Sequence, residues 1–348
     1  MRCNSFSAET IQFKCIKEYS RAVTRQVHAS LIYMTLIVRD RSTDGTLAPP
    51  AVNYLDNIPE DVLFYREHCQ LHPSAIYNRS LEKIARAFCS VTKEYFLETD
   101  NLRRDKDAAL DVSQLLDYQV HFLRTMQEYL DELWLILKTL IDPKLASKSS
   151  EFTEQYVLDN KLPGAKSFQE AIRDYKSTLR IANKLKHQQC FLRVVAAWFG
   201  RDVHLGYCLE EPDTNGILGP SPEVHPDQGA FSFARDLTWH MANVYRGSDK
   251  LINAVQKVLS AKGISLPKTK VADHLQWDAA ITELGKIPMA YFPKEMRKPI
   301  AKFNLDDSSQ ILKIKLPYQM AVQVPYPNRV GYLFTPHKHS LSCRLPLL

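Results

Sequence analysis

The chain has 348 residues, of which 45% are hydrophobic and 24% charged, and it carries a net charge of +6. That length supports two domains or one large core with additions, without metal or disulfide staples. No apolar run approaches the roughly 18–20 residues of a membrane span, which excludes an integral helical membrane protein, and the charge is compatible with a polyanionic partner without requiring one.

In chain order, Met1-Arg2-Cys3-Asn4-Ser5 leads into no apolar signal core, so a cytoplasmic rather than secreted protein is expected. The seven cysteines are scattered and form no CxxC pair, which fits reduced thiols. Up to about Asp40, Ile11, Phe13, Ile16, Val23, Val27 and Leu31 keep partly helical spacing. Ser42-Thr43-Asp44-Gly45 and Pro49-Pro50 read as a loop. A helical stretch is expected from Pro59 to a break at His72-Pro73, then a helix capped by Ser80 that continues through Ile84, Phe88, Val91 and Tyr95.

The strongest periodicity spans Asp111 to Ile141. Leu115, Leu116, Val120, Leu123, Met126, Leu130, Leu133, Leu137 and Leu140 fall three and four apart, which predicts one long buried-face helix. Ser167, with Glu170 three residues on, predicts the start of another helix reaching Asn183-Lys184-Leu185-Lys186-His187. Phe191 to Phe199 and His204 to Leu209, separated by Gly200-Arg201-Asp202, read as a β-hairpin. Asp213-Thr214-Asn215-Gly216 is a turn, followed by a Pro-rich loop to Gly229. A helix is expected from Phe231 to Lys262, kinked or divided at Gly247-Ser248. A helix from Val271 to about Leu284 follows, then strand-like stretches at Gln310 to Leu316, Met320 to Val324 and Arg329 to Phe334. The fold expected is a mainly helical α+β protein: a long-helix bundle, an inserted β-hairpin at about 191–219 and a small C-terminal β element. The corresponding divisions are an N-terminal helical region (1–75), the bundle core (76–262) and a C-terminal region (263–348).

Arg235-Asp236-Leu237-Thr238-Trp239-His240 is the sharpest short motif. Histidine is the side chain whose ordinary titration lies near neutral pH, so His240 is the residue type suited to general acid or base work. Arg235 offers permanent charge and planar donors to phosphate oxygens. Asp236, four residues before His240, lies on the same helical face and is placed to orient the imidazole. On composition alone, roughly two Arg–His pairs at spacings of this kind are expected by chance. Four occur, and only Arg235–His240 has Asp or Asn directly after the Arg. The plain structural alternative is a first helical turn in which Asp236 favours the helix dipole.

This motif in its helical context resembles the HEPN superfamily of RNA-cleaving and nucleotide-binding helical domains, over about residues 80 to 262. The resemblance implies a metal-independent RNA endonuclease with Arg235, Asp236 and His240 as catalytic residues. It further implies a homodimer that brings two such helices together, RNA as the partner and a role in bacterial defence or toxin-like growth arrest. No cofactor is implied. The alternative is a non-catalytic protein-interaction or nucleic-acid-binding module.

A second cluster, Arg180, Asn183, Lys184, Lys186 and His187, is a candidate phosphate-binding groove, expected to be largely exposed. Its alternative is a solvated helix end. The Asn183-Lys184-Leu185-Lys186-His187 string also resembles uncharacterised bacterial helical proteins, which implies no activity. His68 and His72 stand at i, i+4 spacing with Cys69 between, but the zinc-protease Glu is missing. No metal site is expected there or at His337-Lys338-His339. There is no P-loop, nucleophile elbow or kinase signature, and Gly216-Ile217-Leu218-Gly219 reads as a turn. Tyr118, Phe122, Tyr129 and Trp134 fall at core spacing rather than on an RNA platform.

Overall fold

The computed structural model describes residues 35–105, 112–187, 190–267, 274–306, 308, 310–318, 327–333 and 344–348. The expectations for residues 1–34, for a strand at 320–324 and for His337 and His339 lie outside them.

In chain order the elements are β1 (Thr35–Asp40), α1 (Arg41–Asp44), α2 (Ala51–Leu55), α3 (Pro73–Arg104), α4 (Ser113–Lys138), α5 (Thr153–Asp159), α6 (Ala165–Thr178) and α7 (Arg180–His187). They continue with β2 (Phe191–Phe199), β3 (Asp202–Pro212), β4 (Leu218–Pro220), β5 (Phe231–Ser232), α8 (Phe233–Ala261), α9 (Leu275–Lys286), β6 (Ile300–Asp306), β7 (Ile311–Tyr318) and β8 (Arg329–Leu333). Short 3-10 turns cover Glu60–Val62 and Pro293–Arg297. None of the described helices is long and apolar enough to cross a membrane. Cys69, Cys89, Cys190 and Cys208 are free thiols.

Helix α3 starts eight residues earlier than a cap at Ser80 predicts. Pro73 occupies its first turn, where the missing N–H costs nothing, and His72 accepts a hydrogen bond from Ser74 N. Pro73 is therefore a start signal, and Ser80 is buried inside the helix. Helix α4 buries the predicted stripe: Leu115, Leu123, Met126, Leu133 and Leu137 are sealed from solvent. Helices α6 and α7 replace the single predicted helix, because the chain leaves α-geometry at Leu179. Helix α8 runs unbroken past Gly247, whose Hα side faces the Tyr129 hydroxyl; a Cβ there would sit 3.0 Å from it. Close packing, not kinking, is what that glycine serves.

The β structure overturns the expected architecture. The described residues form two antiparallel sheets, not one inserted hairpin with a small tail. The first is three-stranded in the order β1-β7-β6. The second joins β2 and β3 to β4 and β8 in the order β4-β3-β2-β8, with β5 also paired to β3, giving five strands. Strand β8 is thus not part of a separate tail: Val194 to Trp198 pair with Leu333 to Arg329. A hairpin leaves two rows of unpaired backbone groups; here the β3 edge is met by the nearby β4 and β5 and the β2 edge by the distant β8.

Both faces of β2 and β3 are covered, so their sequences read as continuous apolar runs rather than alternations. Leu192, Val194, Leu205, Tyr207 and Leu209 join the main helical core, while Val195, Ala197 and Cys208 pack with Ala230 and Phe292 on the other side. On that same face of the hairpin Arg193 and Glu210 form a sealed ion pair. In the three-stranded sheet, Ile37, Leu312, Ile314 and Leu316 face the helices.

Candidate functional site

The beginning of α8 positions the motif residues. Ser232 caps the helix by accepting from Arg235 N at 3.4 Å. From there the helix turns about 100° per residue, so Asp236 and His240 share one face while Arg235, Trp239 and Arg246 share another. The Arg–x4–His spacing places its two ends about 140° apart around the axis.

The inward face is polar and closed. His240 is 0% exposed and Asp236 is 4% exposed. Asp236 Oδ2 accepts from Tyr207 Oη at 2.7 Å and from Gln119 Nε2 at 2.8 Å. Its Oδ1 lies 3.3 Å from His240 Nε2, too poorly aligned for a hydrogen bond. Tyr175 Oη stands 3.0 Å from His240 Nδ1, and the Phe122 ring meets the imidazole edge-on at 5.7 Å. Gln119 comes from α4, Tyr175 from α6 and Tyr207 from β3, so the network ties α8 to three elements. Burial by itself would raise the Asp236 carboxyl. The neighbouring His240, the Tyr207 hydroxyl and the Arg235 charge outweigh it and hold the group below its ordinary range. Burial and the Asp236 charge hold the Tyr175 and Tyr207 phenols well above theirs, so both stay protonated and able to donate.

The outward face opens into a cleft of about 660 Å³. Arg235, Trp239 and Arg246 of α8 line it with Phe231, Lys298 and Glu223. Neither Asp236 nor His240 reaches it. Arg235, 9% exposed, donates from Nη2 to Pro299 O at 2.9 Å and has Nη1 3.9 Å from Glu295 Oε1. Its guanidinium stands 5.8 Å from the Trp239 ring centroid, and its Nε has no hydrogen-bond partner. Burial raises the sealed Glu295 carboxyl, with Arg235 pulling against it; Glu295 accepts from Ser232 N and Phe292 N. Lys298 pairs with Asp227 at 2.8 Å and stands over the Phe231 ring. Arg246 has no ion pair or hydrogen bond from its side chain among the described residues.

One wall of the cleft is the loop carrying Glu223, Val224 and Pro226. His225 holds that loop from inside. Its Nε2 accepts from Leu209 N at 2.9 Å and its Nδ1 donates to Gly229 O at 2.7 Å. Burial pushes its imidazole down to about 4, so the ring is neutral at physiological pH.

The second predicted cluster is not one exposed groove. Lys184 is 8% exposed and pairs with Glu211 at 2.7 Å and Glu223 at 3.1 Å. Arg180 is exposed and reaches the same Glu223 at 3.4 Å. Asn183 is exposed and accepts from Gln127 Nε2, and Lys186 is exposed. The His187 side chain lies outside the described residues. The apolar stripe of α7 (Ile181, Ala182, with Leu185 partly covered) draws Lys184 inward with it, where two carboxylates neutralise it. His68 and His72 hold backbone and a hydroxyl, namely Ile141 O and Ser74 Oγ. No group of three or more potential metal ligands occurs among the described residues.

Sequence reasoning missed Trp239, Arg246, Phe231 and Lys298. The first two were visible as spacing: Arg235, Trp239 and Arg246 recur at i, i+4 and i+11, a single helical stripe. Phe231 and Lys298 reach the cleft through tertiary packing. Protein-family models, curated proteins and solved structures contain no match to the chain.

Proposed function

We propose that this protein is a non-catalytic nucleic-acid-binding module that takes single-stranded RNA in the cleft of Arg235, Trp239 and Arg246. The observation that carries this reading is the division of the motif. Arg235 lines the cleft with Arg246, Lys298 and two aromatic rings, its guanidinium anchored on Pro299 O, while His240 turns to the opposite side and is sealed. Cations interleaved with aromatic rings suit a strand that offers both phosphates and unpaired bases. An acid/base role for His240 needs contact with substrate, and its ring touches Tyr175, Asp236 and Phe122 instead. The HEPN-like resemblance then bears on a binding function, with the His serving architecture.

The test is fluorescence anisotropy with a labelled oligouridylate, comparing the wild type with Arg246→Glu. Binding weakened at least about tenfold by Arg246→Glu, with unchanged melting temperature, is the expected result. Equal binding by the variant, or none by the wild type, overturns the reading. Incubation with RNA in EDTA should leave the RNA intact. Cleavage that is lost in a folded His240→Ala variant would restore the nuclease.

A further inference from the structure

The three-stranded sheet turns a second face to solvent, and its composition is not that of an ordinary mixed surface. The register places Leu36 opposite Lys315, and Lys315 opposite Lys302. The next row is Val38, Lys313 and Asn304. Because side chains alternate across a strand, these six residues share the outer face. Lys313, Lys315 and Asn304 are exposed, and Leu36 and Val38 are 52% and 48% exposed. Lys313 and Lys315 make no ion pair among the described residues. The acids of this face, Asp40 and Asp306, sit together at its far end, where they hold Ser42 and Ser308. Positive charge therefore rises along the strands toward one end.

That end is the cleft. Thr35, directly before Leu36, and Pro317, two residues after Lys315, both line it. Resting on the reading of the cleft above, we infer that the outer face of the three-stranded sheet is the second part of a single-stranded RNA track. The strand leaves the cleft past Pro317 and runs over Lys315 and Lys313, with its bases against Leu36 and Val38. Two residues along a strand span about 6.7 Å, so the two ammonium groups can each meet a successive phosphate of an extended chain. An anionic membrane fits less well. The apolar part is two aliphatic side chains, with no aromatic residue on the six-residue face to enter a headgroup layer.

The track separates by oligonucleotide length. Lys313→Glu with Lys315→Glu should leave a labelled uridine tetramer, held by the cleft alone, unaffected. The same double variant should weaken a uridine dodecamer about tenfold and lower its log–log salt slope by about 1.4, the loss of two single-strand phosphate contacts. Lys144→Glu with Lys148→Glu, an equal charge change at exposed positions elsewhere, should change neither. Loss of dodecamer binding equal to this control overturns the track and leaves the cleft reading standing. Failure of the wild type to bind either oligonucleotide overturns the cleft reading and the track with it. Binding to phosphatidylserine vesicles in place of oligonucleotides would assign the face to a membrane.

Discussion

Asp236→Ala is the sharpest probe of the buried network. The carboxylate receives the Tyr207 hydroxyl at 2.7 Å and the Gln119 amide at 2.8 Å, and faces His240 Nε2 at 3.3 Å. Truncation strands these donors in a place that water does not reach. Each buried group left unsatisfied costs about 1–3 kcal/mol, and hydrogen bonds to a charged group such as this carboxylate lie toward the upper end. The Gln119 amide also meets the Tyr207 hydroxyl at 3.1 Å and retains that partner, which lowers the sum. A loss of about 3–5 kcal/mol is expected, a large part of the stability of a typical domain. Asp236→Asn keeps the shape and one acceptor, and should lose less than the alanine variant. Urea denaturation followed by tryptophan fluorescence and far-ultraviolet circular dichroism measures both. If Asp236→Ala lies within about 1 kcal/mol of the wild type, the network does not hold α8 in place. If it keeps full stability and also loses an RNA-cleaving activity, the whole assignment of the inward face to architecture fails.

Gly206→Ala should unfold the sheet side of the protein, because a Cβ there would lie 2.2 Å from Phe231 O and 2.3 Å from the Phe292 ring. The cost should exceed about 3 kcal/mol or abolish soluble expression, and a melting temperature within a few degrees of the wild type would show that β3 and its cover can separate. His225 predicts acid sensitivity with a definite sign. Its pKa falls from 6.5 to about 4 on folding, so its stabilising contribution is complete above 6.5 and drains away as the pH falls toward 4. About 2 kcal/mol should disappear between pH 7.5 and 5, and His225→Asn should flatten that part of the pH–stability curve; an equal slope in the variant would refute the assignment.

Much of the helical body was legible in the sequence. The stripe through Leu115, Leu123, Met126, Leu133 and Leu137 is a local pattern, and local periodicity alone tells a helix which face to bury. The hairpin of β2 and β3 was equally local, since its turn at Gly200 sits between two apolar runs. Signals failed where one residue type serves opposite purposes. Pro73 reads as a stop and acts as a start, and Lys184 reads as a surface charge and is paired inside.

Tertiary structure alone decided how the sheets are completed around that hairpin and the fate of the motif. Strand β1 pairs with β7 across some 270 residues of chain, and β8 joins β2 across well over 100. Nothing in a strand's own composition names a partner at that distance, because the pairing is set by which unpaired edge the folded body presents. The motif fared likewise. Spacing determined that Asp236 and His240 share a face and that Arg235 shares another with Trp239 and Arg246. Which face is buried was settled by Gln119, Tyr175 and Tyr207, three polar side chains from three other elements that meet only when the chain has folded.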